Sequence, residues 1–385
     1  MKSTDQIQIP FIQALRGLAA IVVAIYHTTS HVPVGPNNAT SQWFFASGPA
    51  AVDLFFMLSG FVMVLSTQNK EPSLENTFRF WINRFFRIWP TYFVITLLFC
   101  LTEVIVRKHM NASLIADWEL HAWTAVGILR SMLFLPLDYA AGAPYFGGAV
   151  LHVGWTMNYE MYFYFILGGS LFFGRYRWLA FFSWIGVTLI APLFLINPWY
   201  HFFDVTAYHD FRPGYLNLIT SPIIWDFVAG VVIGLVYISR LRIRNIQALY
   251  MALMLAMCIA TWNILGGMPR HFGFQFWSGP LALTFVFLAL LNKEQEIAIP
   301  APLLWLGKIS FSLYLVHPLV IAPAYFLTRG TEIEKYTYDF PFTMLVTATS
   351  IALAWISYEL LEVRLSSLLK RKIIGNRFTL RLKQA

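Results

Sequence analysis

Two ionisable side chains, Arg16 and His27, interrupt an otherwise apolar run, FIQALRGLAAIVVAIYHTTS, at residues 11–30. An imidazole can take a proton from a hydroxyl near neutral pH, and a guanidinium can grip phosphate with two parallel hydrogen bonds. The two are eleven positions apart. That is almost three full helical turns, so both project from one face, about 16 Å apart along the axis. Ionisable groups inside a membrane span normally face a protein interior, a water-filled cavity or a partner. Taken singly, Arg16 snorkelling to headgroups and His27 as a hydrogen-bonded residue at a helix end each need no chemistry. Their shared face is what asks for more.

Other stretches carry residues of the same kinds. FWINRFFRIWPTYF places Arg84 and Arg87 three residues apart. That spacing puts both on one helical face, where they suit a phosphate group; the plainer reading is a cluster of positive charge at the cytoplasmic side of a span. The spacing predicts that both precede the third apolar helix, with Pro90 just inside it. GPAAVDLFFMLSGF brings Asp53 to a depth similar to that of His27. A carboxylate there could orient and steady an imidazole, or simply cap a helix. LHVGWTMNYEMYFYF carries His152, Trp155 and Glu160, the last some seven residues into a span, about 10 Å deep, where a carboxylate should be paired, protonated or catalytic. LGKISFSLYLVHP ends in His317, before Pro318. His317 and Trp155 are candidates for lining a substrate cavity. The nine histidines show no metal-ligand spacing, so no metal is expected. Cys100 and Cys258 lie in apolar runs and read as packing residues. Nucleophile-elbow, metalloprotease, P-loop and dinucleotide motifs do not occur in the sequence.

The elements that must position these residues are set by composition. With 58% hydrophobic and 12% charged residues in 385, the chain reads as an all-α polytopic membrane bundle rather than a soluble protein. Ten apolar runs are long enough to cross: roughly 11–30, 50–68, 88–106, 153–173, 178–196, 221–238, 248–264, 272–291, 303–325 and 341–363. With both termini cytoplasmic, twenty Lys and Arg residues fall on the inner side and seven on the outer. That asymmetry fits the positive-inside rule and explains the net charge of +8. Nucleic acid is not an expected partner, because no basic patch interleaved with aromatics is present. The first helix reads as retained rather than as a cleaved signal. The stretch 122–136 reads as interfacial or re-entrant, and the basic tail at 364–385 as lying along the cytoplasmic headgroups or serving as a plain anchor. Residues 1–385 therefore read as one membrane domain, and any activity must reside in the bundle or its loops.

Taken together, several of these stretches resemble the membrane acyltransferase 3 family, multi-spanning enzymes that acylate envelope carbohydrates. The matching pieces are ALRGLAA with His27 following, DLFFMLSGF, NRFFRIWPTY, GWTMNYEMYFY and LGKISFSLYLVHP, continuing into SYELLE. They run in family order, and the pattern looks most like the bacterial exopolysaccharide and O-antigen O-acetyltransferases. The resemblance implies an acyl-CoA co-substrate, most simply acetyl-CoA, and no metal. It implies that His27 is the catalytic histidine and that Arg16, Arg84 and Arg87 hold the acyl-CoA at the cytoplasmic side. Asp53 and Glu160 compete for the role of carboxylate partner. It further implies a free or lipid-linked carbohydrate acceptor, contact with membrane lipid, and a place in the bacterial inner membrane. His27 would act as general base on an acceptor hydroxyl that attacks the thioester directly; an acyl-histidine relay is the mechanistic alternative.

Two other classes fit parts of the pattern. Buried Arg, Asp, Glu and His across ten helices also describe a proton-coupled transporter or flippase of a glycan precursor, although no inverted repeat is visible. A scaffold of an envelope polymer-synthesis complex would use the same polar residues to lock helices together.

Overall fold

The computed structural model describes residues 9–30, 39–108, 124–138, 141–195, 202–212, 214–337 and 339–372. All regular structure among them is helical: α1 Pro10–Ser30, α2 Ala39–Phe45, α3 Ala50–Thr67, α4 Leu74–Lys108, α5 Ala125–Met132, α6 Trp155–Leu171, α7 Gly174–Leu195, α8 Tyr215–Ile219, α9 Ile224–Ile238, α10 Ile246–Trp262, α11 Ser278–Glu294, α12 Ala301–Thr328 and α13 Phe340–Ser357. Each of the ten expected apolar runs overlaps a helix, the run 272–291 only from Ser278 onward. Eight helical runs among the described residues are long and apolar enough to cross a membrane, and the protein is an integral membrane protein. The expected runs 153–173 and 272–291 correspond to α6 and α11, which are 17 residues each, or about 25 Å.

The bundle is organised on two close helix crossings. Helix α1 lies along α12, where Gly17 meets Gly307; a Cβ at Gly307 would stand 2.1 Å from the Gln13 carbonyl oxygen. Helix α3 lies along α9, through Gly60 on one side and Gly230 and Gly234 on the other. Backbones approach this closely only where no side chain intervenes, the small-residue packing common between membrane helices. A Cβ at Gly230 would sit 1.9 Å from the Met57 carbonyl oxygen. Gly230→Val should therefore force α3 and α9 apart, at a cost of at least about 1–3 kcal/mol. The check is the melting temperature of detergent-purified protein, which should fall, whereas Gly169→Val should not move it, since nothing lies within 4 Å of a Cβ there.

Aromatic rings fill the space between the crossings. Phe227 of α9 is stacked between Phe56 of α3 and Phe163 of α6, both at 4.4 Å between ring centroids. Phe11, Phe61 and Phe285 tie α1, α3 and α11 together.

Helix α4 corrects one expectation. It runs unbroken for 35 residues, so it starts well before 88, and Arg84, Arg87 and Pro90 are all interior to it. Its start is set by Ser73, whose Oγ accepts the Asn76 amide at 3.0 Å, with Glu75 paired to Arg79 one turn on. From there FRFWINRFFRIW contains no breaker. Pro90 removes one backbone donor, and the turns around it are anchored instead by side chains: Trp89 Nε1 donates to the Met132 carbonyl at 3.1 Å, and Tyr92 bonds Ser131 at 2.8 Å. Those contacts hold α5, an eight-residue helix too short to span, within the stretch expected to be interfacial or re-entrant. Helix α13 continues through a π-helical turn, Tyr358–Leu365, to residue 372. The remainder of the basic tail lies outside the described residues.

Candidate active site

Helices α1 and α3 run in opposite directions, so the start of α1 and the end of α3 share one end of the bundle. Arg16 lies there, and Arg84 of α4 joins it by donating from Nη2 to Ser66 Oγ of α3 at 3.0 Å. The Arg84 guanidinium lies over the rings of Phe80 and Tyr164, at 5.4 and 5.5 Å from their centroids. Two aromatic faces and one hydrogen bond thus fix its plane. Arg16, Arg84 and Arg87 line one cavity together with Ser59, Glu160 and Tyr164. It holds about 740 Å³ of empty space, mouth included.

Glu160 faces this cavity from α6. It accepts hydrogen bonds from Ser59 Oγ at 2.9 Å and from the Tyr164 hydroxyl, within electrostatic reach of Arg16 and Arg84. A second carboxylate, Glu362, is carried in by the π-helical turn of α13. Ser312 Oγ of α12 donates to it, and it too lies within reach of Arg16 and Arg87. Three guanidiniums, each only partly exposed, are thereby partly balanced by two carboxylates. The net excess of positive charge suits an anionic ligand. Glu362 was missed by sequence reasoning. The signal available was an intramembrane carboxylate in SYELLE, masked by its closeness to the basic tail.

His27 occupies the last turn of α1, at the opposite end. Its ring meets Tyr26 at 5.1 Å, His152 at 5.2 Å with planes inclined by 65°, and His317 at 5.2 Å with planes at 26°. His152 opens the short turn before α6, and His317 is fully buried in α12. Three histidines distant in sequence are thus gathered by three elements, and no spacing rule could have shown it. His317 Nδ1 lies 3.1 Å from the Leu313 carbonyl oxygen. A carbonyl only accepts, so Nδ1 carries a proton and Nε2 is the lone-pair nitrogen of the neutral ring.

Tyr314 joins the two ends. It lines the arginine cavity, its hydroxyl donates to the Val153 carbonyl at 3.0 Å and bonds Thr156 at 2.9 Å, and its ring stands edge-on to His317 at 6.1 Å. The Tyr325 hydroxyl donates to the Thr28 carbonyl at 2.8 Å, fixing the end of α1 beside His27 to α12.

Two expected site residues are engaged elsewhere. Asp53 is fully buried. Its Oδ2 accepts the Gly273 amide at 3.4 Å, and its carboxylate faces Asp226 of α9 and Ser278 of α11. These contacts tie α3 to α9 and α11. Trp155 is 7% exposed and packs edge-on against Tyr145, Phe272 and Phe56, within an aromatic cluster. Burial pushes the Tyr145 phenol, outside the spans, up to about 12.

The helical bundle thus sets an arginine-lined cavity and a histidine toward opposite ends of α1. The chain belongs to the acyltransferase 3 family: the model of that family's acyltransferase domain matches residues 9–359. It is similar to the exopolysaccharide production protein ExoZ of Rhizobium meliloti (strain 1021), at 30% identity over 284 residues, covering 72% of this chain and 78% of that protein. No solved structure matches the chain.

Proposed function

We propose that this acyltransferase moves an acetyl group from acetyl-CoA, bound at the arginine end, to a hydroxyl of an exopolysaccharide sugar arriving at the histidine end. The observation that carries the reading is the cavity that starts at Arg16, Arg84 and Arg87 and reaches Tyr314, the neighbour of the histidine cluster. Phosphate groups of the carrier match guanidinium forks, and an extended thioester arm spans the roughly 16 Å between Arg16 and His27. His27 takes the proton as the hydroxyl oxygen attacks the thioester carbonyl. A C–O bond forms, the C–S bond breaks, and the proton passes to the departing thiolate. The acceptor class is supported by ExoZ, named for exopolysaccharide production. The excess of Lys and Arg at the arginine end supports placing that end in the cytoplasm and the protein in the inner membrane. Family membership favours this reading over a transporter.

Purified protein in nanodiscs, given radiolabelled acetyl-CoA and an exopolysaccharide fraction, should deposit label on the glycan as an alkali-labile ester. Glycan left unlabelled, with acetyl-CoA intact or hydrolysed to acetate, would contradict the proposal.

A further inference from the structure

We propose that His27, His152 and His317 form a binding site for a borderline divalent cation of the Zn²⁺ class, and that the bound cation blocks acyl transfer by occupying His27. One ligand nitrogen from each ring lies within 4.8 Å of the others. A tetrahedral zinc site, with Zn–N of about 2.0–2.1 Å, holds its nitrogens about 3.4 Å apart. The rings therefore need to close by up to about 1.4 Å.

The elements allow that closure in the right places. His317 is the rigid member, fully buried in mid-helix, and its Nδ1–H is committed to the Leu313 carbonyl. That is the orientation found in metal-ligating histidines, where the second ring nitrogen donates to a backbone carbonyl and leaves the other free of a proton for the metal. His27 and His152 stand at the ends of their elements, each partly exposed, so rotation of their side chains brings both nitrogens toward His317 Nε2. The chemistry of the donors selects the ion. Three neutral imidazoles suit Zn²⁺, Cu²⁺ or Ni²⁺ and not Mg²⁺ or Ca²⁺, which take oxygen ligands. Three ligands leave a fourth position for water.

The site stands on geometry alone; its inhibitory consequence rests on the reading of His27 as general base. A nitrogen lone pair bound to a cation cannot accept the proton of an acceptor hydroxyl, so occupancy and turnover exclude each other.

Cobalt(II) separates the two statements. Full-length protein in nanodiscs, stripped with a chelator, should bind one equivalent of Co²⁺ with the intense visible absorption of a tetrahedral nitrogen site. His152→Ala and His317→Ala should each weaken that binding by at least about ten-fold, while His271→Ala, a histidine outside the cluster, should leave it unchanged. His152→Gln, with melting temperature monitored, guards against a folding defect. Zn²⁺ should inhibit glycan acetylation by wild type, with the inhibition constant raised about ten-fold or more in His152→Ala. Absence of the tetrahedral band in wild type, or a band unchanged in both cluster variants, overturns the site. A band that persists while Zn²⁺ leaves acetylation unaffected overturns the inhibition. A band in protein that never acetylates glycan sustains the site and counts against the acetyltransferase reading instead.

Discussion

His27→Ala should lower kcat for glycan acetylation by about 10²–10⁴-fold, the usual contribution of a positioned general base, while the KM for acetyl-CoA stays within about two-fold of wild type. The split follows from the distance between the two ends. His27 sits in the last turn of α1, some 16 Å along the helix from Arg16, so removing the imidazole leaves the arginine cavity intact. The fold should also survive, because the end of α1 is held independently by the Tyr325–Thr28 hydrogen bond. Steady-state kinetics with acetyl-CoA varied at saturating glycan is the check. A matching fall in donor affinity would mean that the histidine belongs to donor binding and not to proton transfer.

Arg84→Ala should show the opposite pattern: a donor KM raised about 10–150-fold, the equivalent of the roughly 1.5–3 kcal/mol that a hydrogen bond to a charged group contributes, with kcat changed only a few-fold. The guanidinium is oriented by Ser66 Oγ at 3.0 Å and by the rings of Phe80 and Tyr164. Arg84→Lys should therefore recover only part of the affinity. A lysine restores the charge but not the planar fork that those contacts aim. Equilibrium binding of labelled acetyl-CoA to the two variants measures this directly. Retention of wild-type affinity in Arg84→Ala would remove the arginine cavity from the donor site.

Much of this was legible in the sequence, for identifiable reasons. Arg16 and His27 lie within a single helix, and helical periodicity alone relates residues of one element, so their opposite positions on α1 follow from spacing. The apolar runs show in the same way, because hydrophobic length is a local property. What escaped is tertiary or depends on local detail. The three histidines come from α1, the turn before α6 and α12, and nothing local links positions 27, 152 and 317. Asp53 lies in the first turn of α3, yet its neighbours Gly273, Asp226 and Ser278 come from other elements. Helix α4 begins at Leu74 because Ser73 caps it; Pro90 suggests a start where the helix merely continues. Glu362 reaches Ser312 through a π-helical turn, a change of register that the ideal helical period does not anticipate.

In the proposed reaction the donor enters at one end of the bundle and the acceptor at the other. The measurement that tests this most directly uses sealed vesicles with the protein in one known orientation. Radiolabelled acetyl-CoA is supplied only on the arginine side and glycan only on the histidine side, with His27→Ala vesicles as control. Label should appear on the glycan in wild-type vesicles and be lost with the histidine. Acetylation only when donor and glycan share a side would contradict a site reached from both ends of the bundle.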